Sequence, residues 1–152
     1  MMATPCDDGE LKKAFLFACF TGLRLSDIRT FTWNKVLATP NDSTRYIRVR
    51  MLKTQQVVNV PLSKDALGYL RETEDGDEPI FRLSSAASVI EQRLAEWAKK
   101  AGIEKHVTFH VSRHSYATMM LTIGVDIYTV SKLLGHKTVS YTHLTLPTSD
   151  LV

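Results

Sequence analysis

Two runs of β-branched and aromatic residues, Tyr46, Ile47, Val49, Met51 and then Val57, Val58, Val60, are separated only by a short polar stretch near Lys53 to Gln56. Strands joined by so short a turn pair with each other antiparallel, so a β-hairpin is expected in the middle of the chain. On either side the period changes to helical. Leu11, Ala14, Phe15, Ala18 and Cys19, behind acidic Asp7, Asp8 and Glu10, predict a buried helix that ends at Thr21-Gly22. A second short helix is expected over Leu25 to Phe31, and a turn cluster at Pro40 to Ser43. Beyond the hairpin, Ser63 or Asp65 can start a helix through Leu70, and the acidic stretch Glu72 to Glu78 reads as a loop. Longer helical patterns follow from Ser84 to Ala101, stopped by Gly102, and from His110 to Thr122, closed by Gly124. Asp126 then caps a short helix through Leu134, ended by Gly135. The expected fold class is α+β, mostly α-helical, in one domain with a small antiparallel sheet; 152 residues suit a single domain.

The net charge is only +3, but five of the 16 acidic residues (Glu72, Glu74, Asp75, Asp77, Glu78) sit in that one loop. Basic residues gather instead in Arg45 to Lys53 and Lys99 to His114, which on charge alone reads first as a solvated surface and second as one that could face phosphates. No window approaches the run of about 20 apolar residues that a membrane span needs, and two cysteines form no disulfide framework, so a cytoplasmic protein is expected.

The chemistry-bearing residues lie at helix starts and ends. Arg24, within Thr21-Gly22-Leu23-Arg24-Leu25-Ser26-Asp27-Ile28, opens a helix whose free amides can join it in holding an anion. His110-Val111-Ser112-Arg113-His114 opens another, and the spacing of three puts His110 and Arg113 on one face. His136 follows Gly135 at a helix end, and Lys53 adds a mobile cation on the hairpin turn. Two arginines, two histidines and a lysine without a carboxylate cluster can bind a phosphodiester and stabilise its transition state without a metal. His110 and His114 are four apart, but the pair lacks a glutamate and Arg113 between them repels a cation, so no zinc site is expected.

These motifs, taken together from about Glu10 to Lys137, resemble the tyrosine recombinases, or phage integrases. The resemblance implies a tyrosine that attacks a scissile phosphate of double-stranded DNA, leaving a 3′-phosphotyrosyl link and a free 5′-hydroxyl, with no cofactor. It implies that Arg24 and Arg113 contact the non-bridging oxygens, that Lys53 protonates the leaving oxygen, and that His110 and His136 assist. Asp27 is expected behind them, orienting an arginine or, as the favoured reading, capping its helix; His114 is expected to buttress its own helix. The parent enzyme would assemble as a tetramer on its DNA sites, and this chain would be monomeric.

The pattern departs from the family after His136. The expected nucleophile position falls on Thr145, and Tyr141, the only later tyrosine, comes too early to serve without a different backbone path. The segment Val139 to Thr148 is similar to a translated sequencing-library adaptor. Residues 1–137 are therefore expected to be a partial catalytic domain lacking a separate clamp domain, residues 138–152 a non-native tail, and the chain inactive. The rival expectation is a non-catalytic DNA-binding module: an accessory protein of the same fold, or a helix-turn-helix regulator using Asp126 to Lys137 as its second helix.

Overall fold

The computed structural model describes residues 3–40 and 44–135. Helix α1 (Gly9–Thr21) is its central element, because apolar residues surround it: Leu11, Ala14, Phe15, Leu16, Phe17 and Ala18 are all buried. Asp8 caps it by accepting the Leu11 N–H at 3.1 Å. Gly22, at φ +76°, ends it. Phe15 meets Trp97 and Phe109 edge-on, each at 5.7 Å, and Phe17 packs on Phe31 at 5.1 Å and on Phe81 at 5.3 Å. Aromatic contacts therefore tie α1 to segments between Phe31 and Phe109.

A short helix α2 (Leu25–Arg29) follows, then a 3₁₀ turn (Trp33–Lys35) and a three-stranded antiparallel sheet, β1 (Val36–Ala38), β2 (Arg45–Arg50) and β3 (Val57–Pro61), in the order β1-β2-β3. The expected hairpin is β2-β3, running from Tyr46 opposite Pro61 to Arg50 opposite Val57. Its alternation is plain: Ile47, Val49, Val58 and Val60 are buried, while Arg48, Arg50, Val57 and Asn59 are exposed. Met51 continues the inward row and is fully buried. Strand β1 was not expected; it has three residues and too little alternation to read.

Helix α3 (Lys64–Leu67) is capped by Ser63 but stops short of Leu70. Helix α4 (Ala87–Lys100) starts later than Ser84, because the Ser84 carbonyl accepts the Arg29 guanidinium at 2.6 Å and its hydroxyl accepts the Ala86 N–H. Its inner face is Ile90, Leu94, Trp97 and Ala98. Helices α5 (Val111–Thr122) and α6 (Ile127–Leu133) follow, α5 packed on α1, and α6 capped by Asp126 through the Thr129 N–H at 2.8 Å. The result is a mostly helical domain with a small antiparallel sheet. No helix among the described residues is long and apolar enough to cross a membrane.

Candidate phosphate site

Three chain segments meet where α1, β2 and α6 end, and two glycines let them. A Cβ on Gly22 would stand 2.6 Å from the Tyr116 ring and 2.9 Å from Leu134. On Gly135 it would lie far inside contact distance of the Met51 sulfur. Both glycines are also in the left-handed region, at φ +76°.

Arg113 is buried at this junction, only 4% exposed. Its Nη1 donates to the Gly22 carbonyl at 2.8 Å and its Nη2 to the Leu134 carbonyl at 3.0 Å. Those oxygens stand just past the C-termini of α1 and α6, where the helix dipoles place negative charge, so one guanidinium ties two helix ends together. Burial, followed by the neighbouring Arg24 charge, lowers its pKa to about 10, with Asp27 acting in the opposite direction. It remains a cation at neutral pH.

Arg24 occupies the N-cap position of α2 without a side-chain cap bond. It is half-buried, its Nη1 lies 3.5 Å from the Met51 sulfur, and its Nε is buried with no partner among the described residues. Asp27, 1% exposed, does not cap α2 as favoured from the sequence. Its Oδ1 accepts the Leu52 N–H at 3.1 Å, the residue before Lys53, while its Oδ2 is buried and unpartnered. A carboxylate whose charge acts on Arg113 thus grips the hairpin turn. The turn itself closes with Gln55 N–H donating to the Met51 carbonyl at 2.8 Å, and Gln55 sits at φ +59°. Lys53 is exposed on it.

His110 is the exposed N-cap residue of α5. Arg113, one turn on, is buried and tied to the two helix ends, and the ring that meets His110 is His114, edge-on at 5.3 Å. His114 is itself exposed rather than buttressing the helix, at the rim of an apolar cavity of about 530 Å³ floored by Phe15, Leu16, Cys19 and Phe20. The pKa of His110 is lowered by burial first and then by the charges of Arg113, His114, Arg24 and Lys53. Arg24, Lys53, His110 and Arg113, spread over the sequence, therefore share one electrostatic neighbourhood. His136, Tyr141, Thr145 and the proposed boundary after Lys137 lie outside the described residues.

Met51 is the contributor that sequence reasoning overlooked; Gly22 and Gly135 are legible as helix ends, but not as points of close approach to Tyr116, Leu134 and Met51. The period of two through Ile47, Val49 and Met51 points the methionine inward, but nothing in the sequence shows that Arg24 lies beneath it. Tyr116 belongs to the core; burial pushes its hydroxyl up to about 12. Among the described residues no three His, Cys, Asp or Glu side chains are grouped to hold a metal ion.

Residues 1–145 match the phage integrase family. A tyrosine recombinase of Thermosipho africanus is 32% identical over 145 residues, covering 91% of this chain and 50% of that protein. Tyrosine recombinase XerC of Neisseria meningitidis serogroup B is 33% identical over 158 residues, covering 95% and 51%. The chain spans about half the length of these relatives. Among solved structures, XerA recombinase superposes with a TM-score of 0.62 at 24% identity, covering 93% of this chain and 58% of that one. A XerH recombinase bound to its difH substrate superposes at 0.68 with 15% identity, covering 91% and 43%. At these identities the structural likeness is one of fold.

Proposed function

Because the chain belongs to the phage integrase family, we propose that it is catalytic-domain sequence of a site-specific recombinase that breaks and rejoins double-stranded DNA. What supports the reading is that Arg113 at the ends of α1 and α6, Arg24 against Met51, and the Asp27-held turn that carries Lys53 adjoin one another, and that their charges act on His110, while among the described residues no His, Cys, Asp or Glu cluster could hold a metal. Such a set suits a phosphodiester, whose transition state gains negative charge that fixed donors stabilise without reorganising.

In the proposed reaction a tyrosine oxygen bonds to the scissile phosphorus and the bond to the 5′-oxygen breaks. Arg113, locked to two carbonyls through two of its five donors, and Arg24, whose Nε has no protein partner among the described residues, face the non-bridging oxygens. Lys53 gives its proton to the departing 5′-oxygen. His110, with its pKa lowered, stands neutral at neutral pH and can accept a proton from the nucleophile. His136 belongs to the proposal as a hydrogen-bond donor to the phosphate. We place the activity in the cytoplasm with its DNA, the whole enzyme acting as a tetramer on paired sites.

The test is a nicked suicide substrate, with covalent adducts read by denaturing electrophoresis. The chain with the residues after Lys137 replaced by a relative's tyrosine-bearing continuation, and with a clamp domain supplied, should trap DNA; Arg24→Ala should abolish the adduct. The unmodified chain should form none. An adduct that vanishes in Tyr141→Phe would make Tyr141 the nucleophile. Base-specific binding that survives Arg24→Ala, with no adduct from any variant, would favour the helix-turn-helix reading.

A further inference from the structure

The outer face of the hairpin carries a second basic feature. Arg48 and Arg50 alternate with the buried Ile47 and Val49, so both point away from the core on the strand that leads into the Lys53 turn. Each is held by a neutral acceptor: Arg48 Nε donates to Asn59 Oδ1 at 3.0 Å, across the strand pair, and Arg50 Nη1 to the Gln55 carbonyl at 3.2 Å. Neither forms an ion pair among the described residues. Arg82 and Arg93 differ, since Arg82 pairs with Glu78 at 2.9 Å and Arg93 with Asp8 at 2.7 Å. Carboxylates thus neutralise the side of the α3–α4 loop and α4 and leave the hairpin positive.

We infer that Arg48 and Arg50 form a phosphate-binding track that extends the Lys53 turn along the DNA backbone, engaging phosphates that flank the scissile one. The inference rests on the proposed DNA-breaking function and adds residues to its binding surface. Spacing supports it. Residues two apart on one strand lie ~6.8 Å from each other, which is about two nucleotide steps along the axis of one DNA strand. Posture supports it as well. Asn59 and the Gln55 carbonyl restrain the guanidiniums, so less side-chain freedom is lost on binding.

The experiment is fluorescence anisotropy of the full chain with a labelled random-sequence duplex, titrated between about 50 and 200 mM salt. Each phosphate contact contributes about 0.9 to the slope of log affinity against log salt, so R48Q/R50Q should lower that slope by about 1.8. R48K/R50K keeps the charges and should keep the slope. R82Q/R93Q removes as much charge from the ion-paired arginines and should leave it unchanged. Urea midpoints of all three are measured alongside, and the lysine variant carries the comparison if the glutamine variant is unfolded, a slope cut by lysine substitution then counting against the proposal. A wild-type slope retained by R48Q/R50Q, or lost equally in R82Q/R93Q, overturns the track and leaves the proposed function standing. No salt-dependent binding by the wild type overturns both.

Discussion

Gly22→Ala measures how tightly the phosphate site is packed, and Gly102→Ala is its internal control. The two glycines have the same backbone conformation, φ +76° and +77°, and each follows the end of a long helix. An alanine in that region costs about 1–2 kcal/mol at either position. Their surroundings differ completely. A methyl at residue 102 meets nothing within 4 Å, whereas at residue 22 it stands 2.6 Å from the Tyr116 ring and 2.9 Å from Leu134. Tyr116 is 2% exposed and Leu134 3%, so neither can swing into solvent. Overpacking of this kind adds about 1–3 kcal/mol. Gly22→Ala should therefore lose that much more stability than Gly102→Ala, read as the difference between urea unfolding free energies. In a thermal melt each kcal/mol corresponds to about 2–4 °C for a domain of this size. The Gly22 carbonyl is also one of the two Arg113 acceptors, so the same variant should weaken DNA binding while Gly102→Ala leaves it intact. Equal stability losses in the two variants would refute the tight junction of α1, α5 and α6.

Arg113→Lys keeps the charge but cannot span the Gly22 and Leu134 carbonyls with a planar fork, and should cost about 2–4 kcal/mol in urea unfolding; a loss below 0.5 kcal/mol, roughly the level of an inert surface change, would count against the helix-end tie. Asp27→Ala removes the acceptor of the Leu52 N–H and should cost about 1.5–3 kcal/mol, with Asp27→Asn recovering part of it because an amide oxygen can still accept that bond. The lowered pKa of His110 means that the unfolded chain takes up its proton first as pH falls, so its contribution to stability is present above about pH 6.5 and is lost as pH drops from there toward the folded value. In an NMR titration His110 should titrate below the ordinary histidine range, and inorganic phosphate should move it upward; a phosphate-insensitive midpoint would argue against an anion beside the ring.

Local rules were enough for the hairpin, the main helices and the identity of the basic residues, but not for β1 or for the bounds of α3 and α4. The period of two through Tyr46 to Val60, the helical spacing of Leu11 to Cys19, and glycines at 22, 102, 124 and 135 each report a backbone preference that neighbours in sequence impose. Arg24, Lys53, His110 and Arg113 stood out because together, and in this order, they match the motifs of one family. Their orientations were a different matter. Whether Arg113 faces solvent or two helix ends depends on where α1 and α6 stop in space, and Gly22 and Leu134 are 91 and 21 residues away from it. Asp27 looked like a cap because capping is the commonest local use of an aspartate in a first helical turn. In the folded chain the Leu52 amide, 25 residues on, competes for the same oxygen inside a buried site and wins. Spacing along the chain settles which groups are available, but the desolvation of a charge and the partner that compensates it are properties of packing, and only the tertiary structure decided them.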